Sequence, residues 1–199
     1  MDAPRLRGRR PRRGQPDATR ARLVATAAVV FNRDGYHGTD SNRLARAAGY
    51  APATFYKHFP DKRALFLAAY EAWVTLEWTA VEHAVAGGGS ADALAGQVVA
   101  LVLAMHRRWR GLRASLRALV ANDPIARAFY RAQRRRQLRL LAALAPRRAR
   151  PRAEDALLLF TLERVADAIA DGELTDLGVA VAPTVTRLRT LVRNHIGRR

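Results

Sequence analysis

The sequence predicts an all-α fold in two parts, a short helix-turn-helix region followed by a longer helical domain. Three observations lead there. Apolar residues recur at helical spacing, and no alternating β-type run of convincing length occurs. Residues 35–62 are punctuated by glycine, proline and capping residues at the spacing of very short helices. Finally, the chain has only two lysines against 33 arginines, and both, Lys57 and Lys62, fall in that stretch.

Taken in order, residues 1–16 carry six arginines and almost nothing apolar. Such a segment cannot bury enough surface to offset its ordering entropy, so it reads as a disordered basic arm. Asp17 is a candidate N-cap for the first helix, in which Leu23, Ala27, Val30 and Phe31 form one face. Gly35 is placed to end it, because glycine accepts the left-handed C-terminal conformation. Thr39 and Asp40 supply side-chain oxygens for the next N-terminus, with Leu44, Ala47 and Ala48 as a short apolar face and Gly49 closing it. Pro52 suits the first position of a third helix, Phe55 and Phe59 face inward, and Pro60 stops it. Asp61 then caps a longer helix through Leu65, Phe66, Ala69, Trp73 and Leu76. Beyond it, breaks are expected at 87–89, Gly111, 123–124, 146–151 and 172–178, separating five further helices of ~10–22 residues.

A formal net charge of +18 over 199 residues, with a pI near 11.6, points to a polyanionic partner, since clustered cations release counterions from phosphates. The absence of cysteine excludes disulfide scaffolds and thiolate metal sites. The longest uncharged run, residues 93–105, is shorter than the ~20 residues of a membrane span, so no membrane partner is expected and a cytoplasmic location is the default. His37, His58, His83, His106 and His195 lack the spacing that puts two on one face for zinc, and no phosphate loop occurs. No metal, no cofactor and no catalytic residue is expected. Glu154, Asp155, Glu163 and Asp167 read as helix caps and surface pairs. Arg131, Arg134, Arg135 and Arg139 share a face that reads as solvated, followed by Arg147, Arg148, Arg150 and Arg152 in a loop.

Residues 52–59 present Ala53, Thr54, Tyr56, Lys57 and His58 outward, small or hydrogen-bonding side chains on an aromatic-backed helix. In a helix-turn-helix such a second helix enters the major groove. The ordered series Ala27-Ala28, Phe31, Gly35-Tyr36, Thr39, Leu44-Ala45, Ala48-Gly49-Tyr50, Thr54-Phe55-Tyr56, His58-Phe59 and Lys62 resembles the TetR family of bacterial transcriptional repressors across residues 17–77. Three positions depart from that pattern: Ala53 where glycine is frequent, Phe55 for leucine, and Ser41 where an apolar residue is common.

The resemblance implies an N-terminal three-helix helix-turn-helix DNA-binding domain (17–77) and a C-terminal helical ligand-binding and dimerisation domain (78–199). It implies phosphate contacts from Tyr56 and Lys62 and backbone contacts near Thr39 and Ser41, with Tyr50, Ala51, Pro52, Thr54, Lys57 and His58 at or near the groove. The implied partners are a double-stranded, near-palindromic DNA operator, a second copy of the chain and a small-molecule effector. The last two helices, 151–172 and 179–197, would form the homodimer, with Leu157, Leu158, Thr161, Val165, Leu188, Leu191 and Val192 as interface candidates. Trp73, His83, Met105, His106, Trp109, Phe129, Tyr130 and Phe160 are candidates for a pocket between C-terminal helices, taking an apolar or aromatic ligand or an anion anchored by arginine. Competing readings are a sequence-nonspecific DNA compactor and a small helical hydrolase.

Overall fold

The structure, a computed structural model, describes residues 16–143 and 152–197. The basic arm but for Pro16, Arg147, Arg148 and Arg150, and the expected break at 146–151 lie outside the described residues. All regular structure among them is helical: α1 Pro16–Asp34, α2 Ser41–Ala47, α3 Pro52–His58, α4 Lys62–Ala86, α5 Ala91–Arg108, α6 Arg110–Asn122, α7 Pro124–Ala143, α8 Ala153–Asp171, α9 Glu173–Asp176 and α10 Val181–Gly197.

Local chemistry sets the boundaries of the first four helices. Gly35 adopts φ +73° and its N–H donates to Phe31 O at 3.0 Å, ending α1. The Asp40 carboxylate accepts from Arg43 N–H at 2.8 Å at the start of α2. Gly49, at φ +84°, lets the chain turn, and Pro52 opens α3 behind Ala51. Phe59 leaves the helical region ahead of Pro60, and Asp61 accepts from Ala64 N–H at 2.7 Å to begin α4.

Two apolar clusters hold the fold. In the first, Leu23 and Phe31 of α1, Leu44 of α2, Phe55 of α3 and Leu65, Phe66 and Trp73 of α4 pack with Leu112, Leu116 and Leu119 of α6 and Leu159 of α8. In the second, Val81 of α4, Val98, Val99 and Val102 of α5, Leu158 and Leu162 of α8, and Leu188, Val192 and Ile196 of α10 meet. The 25-residue α4 enters both and runs unbroken through residue 77, so the expected division at 77/78 falls within a helix. No helix among the described residues is long and apolar enough to cross a membrane.

Two local expectations are corrected. Asp17 lies inside the first turn of α1 rather than at its cap. Gly111 does not end a helix; it sits in the first turn of α6. The α5–α6 junction is Trp109. Among the described residues, five helices of 13–20 residues follow α4 as expected, and a single turn, α9, lies within the expected break at 172–178.

Candidate nucleic-acid interface and ligand cavity

Phe55 and Phe59, 0% and 3% exposed, anchor α3 to the first cluster, so its opposite face turns to solvent. There Tyr56 is 56% exposed, Ala53 and Lys57 are exposed, and Thr54 and His58 are half-buried. Ala51 is exposed and Pro52 half-buried at the start of the helix. Ser41 is half-buried in the first turn of α2.

Three residues expected at DNA are turned inward. Thr39 is buried, and its hydroxyl has no hydrogen-bond partner among the described residues. Tyr50 packs against the first cluster with its hydroxyl buried, because the turn that Gly49 makes folds it back onto the core. Lys62 reaches back over the loop between α1 and α2, donating to Tyr36 O and Thr39 O at 2.9 Å each, with its ammonium 4.2 Å from the centre of the Tyr36 ring. Burial lowers its pKa, opposed by the charge of Asp40. Two of its three N–H donors are thereby occupied.

A cavity of about 70 Å3 lies between α4, α5, α7, α8 and α10, mostly within the second cluster. Its walls are Trp78, Val81, Val85, Val98, Val102, Leu141, Leu158, Leu159, Leu162, Val192 and Ile196, and its ionisable residues are Glu77, His106, Glu163 and His195. His106 is the only one of the eight expected pocket residues that lines it. Trp73 is fully buried in the first cluster, with Met105, Trp109, Phe129 and Tyr130 packed around that cluster. His83 is exposed near the end of α4, and Phe160 is 49% exposed. The aromatic side chains fill space; smaller aliphatic ones surround the cavity.

Below the cavity lies a buried ionic network. Arg113 donates to Asp167 through Nε at 2.6 Å and Nη2 at 3.1 Å, and its guanidinium lies 5.2 Å from the Trp73 ring centre. His106 Nδ1 is 3.0 Å from Asp167 Oδ1. Arg134 pairs with Glu163 and donates to Gln137 at 2.9 Å. Arg117 meets Asp167 and Asp171, each at 2.8 Å. Burial raises the Asp167 pKa, but hydrogen bonds from His106 and Arg113 outweigh it and hold the carboxyl well below the usual range. Burial lowers the pKa of His106, opposed by its Asp167 bond. With Asp167 accepting at Nδ1, that nitrogen carries the proton and Nε2 is an acceptor. Glu77 Oε1 faces Nε2 at 3.5 Å, and neither atom has a hydrogen-bond partner among the described residues. Burial pushes the Glu77 carboxyl up to about 8.

Glu163 and Asp167 are therefore not surface pairs, being 8% and 9% exposed, and Asp155 is fully buried, 3.1 Å from His195. Arg134 leaves the expected solvated face to enter the network. The available signal was register: Glu163 lies in the apolar stripe of α8 with Leu159, Leu162 and Ala166, and Glu77 follows Trp73 and Val74 in the stripe of α4.

Residues 23–69, from α1 through the first two turns of α4, match the family model described as bacterial regulatory proteins, tetR family. The helix-turn-helix domain belongs to the tetR family. No curated protein matches the chain. Solved structures extend the likeness beyond the tetR-family domain. A TetR family transcription regulator from Marinobacter aquaeolei VT8 superposes with a TM-score of 0.61 at 15% identity, covering 92% of this chain and 97% of that one. The TetR-like regulator LfrR from Mycobacterium smegmatis, in complex with proflavine, gives 0.58 at 20% identity, with 92% and 98% covered. AibR, in complex with isovaleryl coenzyme A and operator DNA, gives 0.57 at 17% identity, with 77% and 86% covered. At such identities the likeness is one of fold.

Behind the tetR-family domain, the expected dimer residues divide into two sets. Leu158, Leu188 and Val192 are buried in the chain's own second cluster, so they are not available to a partner. Leu157 at 66% and Leu191 at 39% are exposed, as is Thr161, and Val165 is half-buried. Phe160, at 49%, joins Leu157 on the outward face of α8.

Proposed function

We propose that the chain is a ligand-responsive transcriptional repressor which binds a near-palindromic operator as a homodimer, one α3 in each of two successive major grooves. The observation that carries this reading is the outward face of α3, with Thr54, Tyr56, Lys57 and His58 held on an aromatic anchor within a tetR-family domain. In that role Tyr56 and the remaining donor of Lys62 serve phosphates, while Lys57 and His58 approach base edges. Residues 17–77 act as the DNA-binding unit, 78–199 as the effector and dimerisation unit, and the basic arm adds nonspecific attraction. Leu157, Phe160, Thr161 and Leu191 are the apolar and small surface that a second copy would cover. The setting is the cytoplasm.

The link between ligand and DNA rests on shared elements. The α4 helix carries Lys62 at one end and Glu77 in the cavity wall, and α6 is tied to α1 through Asn32 and to the loop after α1 through Ser115, whose hydroxyl accepts from Tyr36 N–H at 3.0 Å. A ligand shifts this balance only by its differential affinity for the two arrangements. LfrR and AibR, solved with proflavine and with isovaleryl coenzyme A respectively, make small-molecule occupancy a reasonable expectation.

A mobility-shift assay with the DNA upstream of the chain's own gene against scrambled DNA, at two salt concentrations, tests the reading. Specific binding keeps its preference as salt rises; a nonspecific compactor, the reading favoured by the net charge alone, loses affinity for both sequences alike.

A further inference from the structure

The polar end of the cavity is made of carboxyl and imidazole groups, Glu77, Glu163, His106 and His195. No arginine or lysine lines it among the described residues, because the nearby guanidinium groups are turned away into pairs of their own: Arg113 with Asp167, Arg134 with Glu163, Arg117 with Asp167 and Asp171. Glu77 is the carboxyl left without a cation. It is 5% exposed and His106 is 1% exposed; both residues line the cavity, and their Oε1 and Nε2 are buried without a hydrogen-bond partner among the described residues. At 3.5 Å the proton of a neutral Glu77 reaches Nε2 only at the limit of a hydrogen bond, so both buried atoms lack a good partner, which is costly. At 3.5 Å apart, they are close enough for one nitrogen to donate to both. The remaining wall is aliphatic apart from Trp78, and 70 Å3 is several times the ~10–15 Å3 that one water requires.

We propose that this cavity takes a compact organic cation, an apolar body carrying a protonated amine whose N–H groups donate to Glu77 Oε1 and His106 Nε2. The proposal rests on the reading of the cavity as an effector site and reverses the expectation of an anion anchored by arginine. The proton balance is defined. Without ligand, the Glu77 carboxyl is held neutral by burial; when the ammonium docks, the carboxyl ionises and its proton passes to solvent. Asp167, Glu163, Arg113 and Arg134 stay paired as they are, and His195 remains with Asp155.

The test uses the full chain and three probes of equal length: hexylammonium, hexan-1-ol and hexanoate, titrated by calorimetry at pH 7 in two buffers of different ionisation heat. Hexylammonium should bind at least about tenfold more tightly than either of the others, as expected for a charge-assisted hydrogen bond in a buried site, and should release close to one proton. In Glu77→Gln, an isosteric change, the preference and the proton release should both disappear while hexan-1-ol binding stays within about threefold. The proton release of the unaltered protein needs no variant, so the proposal stands or falls even if Glu77→Gln folds poorly. Tighter binding of hexanoate, equal binding of hexan-1-ol, no binding of hexylammonium at millimolar concentration, or binding without proton release overturns it. Adding hexylammonium to the operator complex separates the two readings: Glu77-dependent binding without a change in DNA affinity upholds the ligand class and sinks the repressor switch, whereas DNA release by hexanoate alone upholds the switch and sinks the ligand class.

Discussion

Gly111 lies so close to Asn32 that a Cβ built on it would fall 2.0 Å from the Asn32 carbonyl oxygen. The Asn32 side chain completes the joint, its Nδ2 donating to Arg108 O at 2.8 Å and its Oδ1 accepting from Leu112 N–H at 3.1 Å. One asparagine of α1 thus grips the end of α5 and the start of α6, and only a residue without a Cβ fits beside it.

Gly111→Ala is therefore expected to destabilise the chain by about 1–3 kcal/mol through overpacking against backbone. In an open helix the same change would stabilise by up to ~1 kcal/mol. The sign alone decides, and a thermal unfolding midpoint reads it: a raised midpoint would mean that α1 and α6 can separate freely.

Glu77 should impose a pH dependence. Its folded pKa, about 8, lies above its unfolded value, so the folded state holds the extra proton. The resulting stability is complete below the unfolded pKa of ~4.3 and is lost as pH rises toward the folded value, at up to ~1.4 kcal/mol per unit. Urea midpoints of Glu77→Gln against the unaltered chain should diverge between pH 5 and 8, the variant gaining. A constant difference would mean that the carboxyl ionises freely.

The Asp167 carboxylate has the opposite sign. Held below its unfolded pKa, it stabilises above that value and loses the contribution as pH falls through the folded one. Asp167→Asn leaves Arg113 buried with its main partner neutralised, a loss of about 3–5 kcal/mol near neutrality. The deficit should shrink progressively below about pH 4, near the unfolded pKa. An unchanged deficit down to pH 2 would mean that hydrogen-bond geometry, not charge, is what the site requires.

The two lysines should differ in their DNA phenotype. Lys57→Ala is expected to alter base preference at one position per half-site by ~1–3 kcal/mol if the contact is direct. Lys62→Ala should weaken all sequences alike, reduce the salt slope by at most ~1, and also lower stability, since two carbonyl contacts go with it. A randomised operator library distinguishes them, and uniform weakening by Lys57→Ala would assign that residue to the backbone.

What could be read in advance was chemistry confined to a few neighbours in the chain. Asp40, Asp61, Gly35, Gly49 and Pro52 set helix ends through hydrogen bonds or φ values within four residues, so α2 and α3 emerge directly from their own sequence. The network below the cavity was hidden because its partners are remote: Arg113 and Asp167 are 54 positions apart, His106 and Asp167 61. Gly111 is opaque in the sequence for the same reason: its constraint comes from Asn32 rather than from its own helix. The cavity escaped because a valine lining a void and a valine filling a core leave the same trace in a sequence, whereas the large aromatics that suggested a pocket pack the space closed.

With Lys62 folded onto two carbonyls and an aromatic ring while Lys57 stands exposed on α3, the side-chain amines of this molecule are unequal in access. An amine-acylating reagent would meet Lys57 first among them. The scarcity of lysine thus gives the exposed face of α3 a nearly unique chemical handle, one that a partner docked on that face would shield and that a fluorescent or isotopic tag could report without introducing a foreign residue.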